Sequence, residues 1–405
     1  MSNIPLKYVA RINAGQSPPS AEVFPLSSGR PFLQGNAEFK ELHPLPRLEC
    51  TTSPKVATRN DVLLSVRAPV GALNVADEPY GIGRGLCSIT PTSCEGRFLW
   101  WWLHSQRPQL DAVSTGTTYK AVTAEDVGNL KFPNWSLQEQ HRIAEFLDAE
   151  TARIDRLADL QRKMIAGLNE REAAQLDIAI DDLISRAGMV PFRRFVWSVD
   201  QGTSPQCEAV PASEDEWGVL KVSCLRPGVF DPRENKRLPA EIQPDHRNEV
   251  REGDLLITRA NTPQLVGSTA VVRQVRRKIL LSDKIFRVRL SENISPEFVA
   301  AVARGSRVRS LSAAGSNGAS SSMANIRFEE IKRWPMPAVS LSMQMQLVER
   351  VSRSRKQLDA LRPVVNQRLA LLAERRQALI TAAVTGQFDV STASGRNVTD
   401  GVPTA

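Results

Sequence analysis

The chain has 405 residues, of which 41% are hydrophobic and 24% charged, and its formal net charge is +8 at pH 7. This length holds two or three domains with a substantial core, and the composition is ordinary for a soluble globular protein. The N-terminal segment lacks the apolar core of a signal peptide, and no run reaches the roughly 20 apolar residues that span a bilayer, so we expect a cytoplasmic protein without membrane contact.

The first globular segment is predicted at residues 1–136 and combines short strands with a few helices. Residues 61–66 (DVLLSV) follow a turn and predict a buried strand. Residues 97–106 (RFLWWWLHSQ) predict a helix. We expect its three consecutive tryptophans to pack in the core rather than stack on bases, because indole rings bury a large apolar area.

Two long helices and a second globular segment follow. The central helix is predicted at 137–189, where a capping box precedes an apolar run. The second globular segment, at 190–340, repeats the order of a buried strand and a later helix. The C-terminal helix is predicted at 341–390, and the small, polar tail at 391–405 is predicted to be disordered.

An internal repeat relates the two halves of the chain. SLQEQ at 136–140 aligns with SLSMQ at 340–344, and NAGQSPP at 13–19 aligns with DQGTSPQ at 200–206. The chain is therefore predicted to be a tandem duplication, in which each copy is a globular unit followed by a long helix.

Apolar residues recur at heptad spacing on both helices and predict a coiled-coil seam. The predicted seam residues of the central helix are Ile143, Leu147, Ile154, Leu157 and Leu168. Those of the C-terminal helix are Leu347, Val351, Leu358, Leu361, Val365 and Leu372. The central helix is net acidic and the C-terminal helix net basic, which favours their lying against each other. Pro363 is expected to kink or break the second helix.

No motif in the sequence assembles a catalytic centre. The phosphate-binding pattern GxxxxGK[ST], the dinucleotide pattern GxGxxG after a strand and the nucleophile pattern GxSxG are absent. The five cysteines and four histidines lack metal-ligand spacing, so we expect neither structural zinc nor a disulfide framework. We predict a non-catalytic protein that recognises and scaffolds, with no metal or cofactor of its own.

Two pairs of recurring loops indicate nucleic-acid binding. The loops at 114–123 and 313–327 are rich in Gly, Ser, Thr and Asn, and a second pair, VRAPVG and TRANTPQLVG, follows the buried strands. Hydroxyl and backbone N–H groups suit phosphate oxygens, while Asn, Arg and Lys read base edges. The candidate DNA-binding residues are Arg67, Thr117, Thr118, Tyr119, Lys120, Arg259, Asn261, Gln264, Lys284, Ser316, Asn317, Ser320 and Arg327. Ordinary surface loops remain the alternative interpretation.

In this order, the motifs resemble the specificity subunit of type I restriction–modification systems. LLAERRQALITAAVTGQFDV at 371–390 is similar to the terminal helix of that family, and EQHRIAEFLDAETARIDRL at 139–157 to its central helix. The resemblance implies an α+β fold of two globular target-recognition domains in tandem duplication. Two long antiparallel helices would separate these domains and form a coiled-coil spacer.

The resemblance also implies a function and partners. Such a subunit reads a split, asymmetric site in double-stranded DNA, one half with each domain. It holds two DNA methyltransferase (modification) subunits and motor-nuclease (restriction) subunits. S-adenosylmethionine, ATP and Mg²⁺ are then expected on the partner subunits, and none of them on this chain.

Two alternatives stay open at this point. The chain would serve equally as the specificity subunit of another bipartite restriction system, whose partner fuses methylase and nuclease. A coiled-coil protein scaffold without DNA binding is the alternative from a different functional class.

Overall fold

The computed structural model describes residues 3–113, 121–320 and 323–390, without the side chains of residues 113 and 317–320. Helices and sheets alternate along it, so the predicted α+β class is confirmed. The predicted disordered tail at 391–405 lies outside the described residues.

The chain forms two compact units, Met1–Arg162 with Asn366–Ala405, and Lys163–Val365. Each unit contains one globular domain, one part of the central helix and one part of the C-terminal helix. The units therefore divide both helices, because each helix part packs on the domain beside it. We call the globular parts domain 1 (3–136) and domain 2 (188–340).

Domain 1 is built from short strands and three helices. Its described strands are β1 (Asn3–Pro5), β2 (Ala10–Ala14), β3 (Phe24–Pro25), β4 (Pro31–Leu33), β5 (Leu48–Glu49), β6 (Val56–Ala57), β7 (Val62–Ser65), β8 (Leu73–Val75), β9 (Tyr80–Ile82), β10 (Leu86–Pro91) and β11 (Lys131–Pro133). Its described helices are α1 (Gly96–Ser105), α2 (Arg107–Val113) and α3 (Ala124–Gly128). The central helix that follows is α4 (Leu137–Ala187).

Domain 2 repeats this plan. Its described strands are β12 (Met189–Pro191), β13 (Val196–Gln201), β14 (Gly218–Leu220), β15 (Leu225–Arg226), β16 (Val229–Phe230), β17 (Asn235–Arg237), β18 (Leu255–Thr258), β19 (Ala260–Asn261), β20 (Thr269–Val271), β21 (Ile279–Leu280), β22 (Ile285–Leu290), β23 (Ser316–Ser320), β24 (Met323–Ile326) and β25 (Pro335–Pro337). Its described helices are α5 (Pro296–Arg304), α6 (Ser306–Ala314) and α7 (Phe328–Ile331), and the C-terminal helix is α8 (Leu341–Thr385).

The four-stranded sheets of the two domains correspond strand by strand, which confirms the predicted duplication. The four-stranded sheet of domain 1 has the order β2-β10-β7-β8, and that of domain 2 has the order β13-β22-β18-β20. The first strand of each domain pairs antiparallel with the last, β1 with β11 and β12 with β25. A second sheet, β3-β5-β4-β9-β6 in domain 1 and β17-β14-β21 in domain 2, contains one parallel pair in each copy.

Large aromatic side chains fill the core of each domain. In domain 1, Trp102 and Phe132 pack edge to face with ring centroids 4.9 Å apart, and Trp101 is also buried. The tryptophan helix therefore faces the core, as predicted. In domain 2, Phe192 and Trp334 stack with centroids 6.2 Å apart.

A buried glutamine at the start of each long helix holds the neighbouring domain. The Gln140 side chain accepts a hydrogen bond from the Glu95 backbone N–H (2.8 Å) and donates to the Trp135 carbonyl (2.9 Å). The Gln344 side chain accepts from the Ser295 N–H (2.9 Å) and donates to the Val339 carbonyl (3.1 Å). These are the glutamines of the repeated SLQEQ and SLSMQ motifs, so the repeat has a structural reason. Each side chain pairs with at least two partly buried backbone groups at the junction between helix and domain.

The repeated Gly-x-Ser-Pro turn depends on a close backbone contact. A Cβ atom on Gly15 would lie 2.1 Å from the Gly83 carbonyl oxygen, and one on Gly202 would lie 1.8 Å from the Leu281 carbonyl oxygen. Only glycine fits there without moving the backbone. The turn therefore has the same path in both domains.

The helix parts pack antiparallel within each compact unit. In the first unit, the Arg376 guanidinium lies 3.1 Å from the Asp155 carboxylate, and the Trp135 indole donates to the Val384 carbonyl (3.2 Å). In the second unit, Arg362 donates to the Asn169 side chain (3.0 Å). Residues later in α4 thus contact residues earlier in α8. This is the antiparallel direction predicted for the two helices.

The predicted seam residues differ in how far they are buried. Ile143, Leu147, Ile154, Leu347, Leu358 and Val365 are buried, and Leu168, Val351 and Leu372 are half-buried. Leu157 and Leu361 are 45% and 41% exposed. On α4 the next buried residue after Ile154 is Ala158. The side chain of Leu157 therefore faces solvent. A small residue in a seam lets two helices approach closely, which favours this choice.

Helix α8 continues past Pro363 from Leu341 to Thr385, so the expected break does not occur. It ends where predicted by the glycine signal, because Gly386 has a φ of +76°. None of the helices within the described residues is long and apolar enough to cross a membrane.

We predict that Gln140→Ala and Gln344→Ala each lower the free energy of unfolding by about 1–3 kcal/mol, because each removes at least two hydrogen bonds to partly buried backbone groups. Urea denaturation followed by circular dichroism measures the change. Gln138→Ala and Gln346→Ala, at exposed positions on the same two helices, are the matched controls. A loss no larger than in the controls would contradict the role of the buried amides.

We also predict a pH-dependent loss of stability that originates at His104. Burial, and then the charges of Arg376 and Arg107, lower the pKa of this imidazole to about 4. The unfolded chain binds a proton near pH 6.5 and the folded chain only near pH 4, so folding is progressively disfavoured as pH falls between these values. The shift corresponds to about 3 kcal/mol at the lower end. His104→Gln should reduce the drop in unfolding free energy between pH 7 and pH 4.5, whereas His141→Gln, at an exposed position, should not. Equal drops in wild type and His104→Gln would refute the assignment.

Candidate nucleic-acid interface

The recurring loops of domain 2 meet in one small sheet. Strand β19 pairs antiparallel with β24, and β24 pairs with β23. The described part of the predicted loop at 313–327 therefore contains two paired strands, and the TRANTPQLVG segment supplies the third strand. The sheet places the ends of both segments side by side on domain 2.

Domain 1 has the same backbone arrangement at the corresponding place. The Val122 N–H donates to the Val66 carbonyl (3.0 Å), as the Ile326 N–H donates to the Arg259 carbonyl (2.9 Å). Arg67 forms a bridge with Ala121, as Ala260 pairs with Asn325. Arg67 therefore corresponds to Ala260, one residue after Arg259. The predicted residues Thr117, Thr118, Tyr119 and Lys120 lie outside the described residues.

Some candidate side chains of these segments are exposed and could contact a ligand. Arg67 and Gln264 are exposed. Arg327 is also exposed, and its guanidinium lies 3.2 Å from the Glu330 carboxylate. Gln264 and Arg327 reach solvent beside the small sheet, and Arg67 reaches solvent on domain 1.

Other candidates are already engaged by the fold. The Asn261 side chain is almost fully buried, and its oxygen accepts a hydrogen bond from the Thr262 N–H (2.8 Å). Arg259 donates to the Asp283 carbonyl (3.3 Å), and the Ser316 hydroxyl donates to the Ala313 carbonyl (2.7 Å). These contacts shape the small sheet. The side chains of Asn317 and Ser320 are outside the described part, so their candidacy stays a prediction.

Lys284 contacts the start of strand β19 in the small sheet through its backbone. Its carbonyl oxygen accepts hydrogen bonds from the Arg259 N–H (2.7 Å) and the Ala260 N–H (3.3 Å). Its half-buried side chain lines a cavity of about 340 Å³ together with Lys221 and Lys236. The sequence interpretation missed these two lysines because they belong to neither recurring loop. They are brought together by pairing of distant strands, which no local pattern reveals.

A buried arginine braces the sheet behind this surface. Arg287 is only 4% exposed, and its guanidinium lies 2.9 Å from the Asp200 carboxylate and 3.5 Å from that of Asp254. It also donates to the carbonyls of Glu249 (2.9 Å) and Arg247 (2.7 Å). Strands β13 and β22 and the loop before β18 are thereby joined by one charged group.

The described residues contain no group of three or more His, Cys, Asp or Glu side chains arranged to hold a metal ion. The exposed side chains of this surface, Gln264 and Arg327 among them, offer hydrogen-bonding groups and positive charge. Such groups suit the phosphates and base edges of a nucleic acid.

Comparison with known proteins gives matches to specificity subunits of type I restriction systems. A family model described as "Type I restriction modification DNA specificity domain" matches residues 48–164. A putative type I restriction enzyme specificity subunit, MjaX, of Methanocaldococcus jannaschii is 39% identical over 155 residues, which are 38% of this chain and 36% of that protein. The EcoEI specificity subunit of Escherichia coli is 31% identical over 167 residues, which are 41% of this chain and 28% of that protein. The chain thus matches about a third of the length of these relatives.

A solved structure is similar over nearly the whole chain. The HsdS subunit from Thermoanaerobacter tengcongensis covers 95% of this chain and 97% of its own, with 17% identity and a TM-score of 0.47.

We predict that Arg287→Met lowers the free energy of unfolding by about 3–5 kcal/mol, because it leaves the Asp200 and Asp254 carboxylates without their shared partner. Urea denaturation measures the loss. Arg289→Met is the matched control, since Arg289 contacts Asp200 at 3.5 Å but is mostly exposed. Similar stability of both variants would show that the buried guanidinium does not brace the sheet.

Proposed function

We propose that this chain is a type I restriction–modification specificity subunit, which its similarity to such subunits supports, and that it binds double-stranded DNA and reads a split, asymmetric site. Each domain would read one half. One observation supports the proposal: the two domains share the same backbone pairing but differ in the side chains that it carries. Both domains pair the same two chain segments, yet Arg67 in one copy stands where Ala260 stands in the other.

Two kinds of contact would divide the work of binding. Phosphate contacts provide affinity that is independent of sequence and falls with salt, and the net charge of +8 favours them. Base-edge contacts from exposed side chains such as Arg67, Gln264 and Arg327 would provide specificity, each worth about 1–3 kcal/mol. Because these side chains differ between the domains, the two half-sites should differ.

The long helices would serve as the spacer and as the docking surface for two DNA methyltransferase subunits. Leu157 and Leu160 on α4, and Leu361 and Val364 on α8, are apolar yet exposed. Apolar side chains that leave a seam are suited to cover a partner's apolar surface. We propose that methylation and cleavage belong to the partners, which would bind S-adenosylmethionine, ATP and Mg²⁺, and that this chain is non-catalytic.

The proposal predicts that this gene determines one pattern of base methylation in the host genome. Sequencing modified bases in the genome with and without the gene should show loss of one bipartite motif with unlike halves. Replacing residues 190–340 by the domain of a related subunit should change one half of the motif and keep the other. Retention of all methylated motifs after deletion of the gene would contradict the proposal.

The alternatives predict other results. A protein scaffold without DNA function predicts no binding to duplex at low salt, even with a methyltransferase present. A bipartite system with a fused partner predicts one neighbouring gene that encodes both methylase and nuclease activities, in place of two separate genes.

A further inference from the structure

We infer that the cavity lined by Ser204, Lys221, Lys236, Ser282 and Lys284, here called the lysine cavity, binds a DNA backbone phosphate and positions domain 2 on the duplex. This inference rests on the proposed function and assigns one part of it to specific residues. It concerns anchoring to the sugar–phosphate backbone, separate from the base reading assigned above to the small sheet.

The topology of the second sheet explains why these residues meet. Strands β14 and β21 run parallel, so their carboxyl ends lie at the same edge. Lys221 follows β14 directly, and Ser282 and Lys284 follow β21. Lys236 lies on β17, opposite Val219 of β14. Three separate chain segments therefore deliver a lysine to one place.

The charges that line the lysine cavity have a single sign. It has a volume of about 340 Å³, and its lining contains three lysines and no carboxylate. The larger cavity of about 650 Å³ beside Arg287 is different, because Asp200, Glu249 and Asp254 line it together with arginines. Ammonium groups gathered without a counter-charge repel one another, and an anion between them relieves that repulsion.

The ammonium groups are largely unengaged by the protein. None of the described residues forms an ion pair with Lys236 or Lys284, and Lys221 lies 3.6 Å from the Glu234 carboxylate, which already accepts a hydrogen bond from Ser223 (2.5 Å). Lysine is a common point-charge ligand of phosphate. The cavity thus contains positive charge that ion pairs within the protein do not neutralise.

A buried hydroxyl supplies a second, independent indication of a ligand. Ser282 is only 3% exposed, and its hydroxyl has no hydrogen-bond partner among the described residues although it lines the cavity. A buried polar group without a partner is uncommon, and a ligand oxygen is one way to satisfy it. The hydroxyl of Ser204, in the Gly-x-Ser-Pro turn, donates to the Asp283 carboxylate and lies at the same edge.

The equivalent edge of domain 1 also brings a cation to the turn. Gln34 follows β4, Arg84 lies just after β9, and these two strands are parallel like β14 and β21. The Ser17 hydroxyl oxygen accepts from Gln34 (2.8 Å) and from the Arg84 side chain (3.3 Å). The repeated Gly-x-Ser-Pro turn therefore stands beside basic residues in both domains.

The position favours a phosphate of the duplex over a free anion. Lys284 belongs both to the cavity and, through its carbonyl oxygen, to the start of the small sheet. A phosphate held there would fix the register of the duplex beside the exposed side chains that read bases. Backbone contacts of this kind position a protein on DNA without carrying sequence information.

The test uses the full chain assembled with its methyltransferase partners and measures duplex affinity as a function of salt. Lys236→Ala and Lys284→Ala should weaken binding equally for duplexes with and without the target motif. The slope of log K against log salt should fall by about 0.9 for the phosphate lost. The methylated motif should stay the same. Lys332→Ala is the matched control, because Lys332 is already paired with Glu329 at 2.7 Å.

The outcomes separate this inference from the proposed function. If the wild-type assembly binds duplex and the cavity variants keep its salt slope, the lysine cavity is not a phosphate anchor, although the proposed function stands. If the wild-type assembly binds no duplex, both fail. A last experiment measures the thermal stability of wild type and variants with inorganic phosphate. Thermal stabilisation of wild type but not of the variants by phosphate, with unchanged duplex slopes, would assign the cavity to a free anion and overturn the inference.

Discussion

A buried amide at the first turn of each long helix joins that helix to its own domain. Backbone groups that lose water on folding must find another partner, and the side chains of Gln140 and Gln344 provide both a donor and an acceptor at this junction. An apolar side chain would fill the same space but leave the cap of α1 or α5 unpaired. The direction in which each helix leaves its domain is therefore set by hydrogen bonds, whose geometry is stricter than that of apolar packing.

The duplication preserves backbone contacts and varies side chains. The order of the four-stranded sheets, the glycine contact and the pairing of the small-sheet segments recur in both domains. The charged brace of Arg287 belongs to domain 2, and domain 1 uses other contacts in its sheet. A frame of this kind can present different groups to two parts of a ligand without altering its own geometry.

The sequence was most informative where a local pattern had a local cause. The helix starts, the tryptophan core and the repeated glutamines follow from spacing and residue type, and the structure has them. The seam was harder, because heptad spacing after Ile154 permits either Leu157 or Ala158, and packing against the other helix decides between them. The hairpin formed by β23 and β24 was interpreted as a loop, because its Gly, Ser and Asn content favours turns over strands.

The lysine cavity shows the limit of sequence patterns. Lys221, Lys236 and Lys284 are far apart along the chain and come together only through one parallel and one antiparallel strand pair. Their chemistry is ordinary at each position and becomes specific only when the three are neighbours. Pairing between distant strands depends on the whole fold, so local sequence patterns do not predict it.

The outward-facing leucines of the long helices have a consequence for the amount of this protein that a cell can keep in solution. Leu157, Leu160 and Leu361 hold apolar area in water, and such area favours self-association when no other surface covers it. A newly made chain that meets no partner would accumulate as aggregate or be degraded.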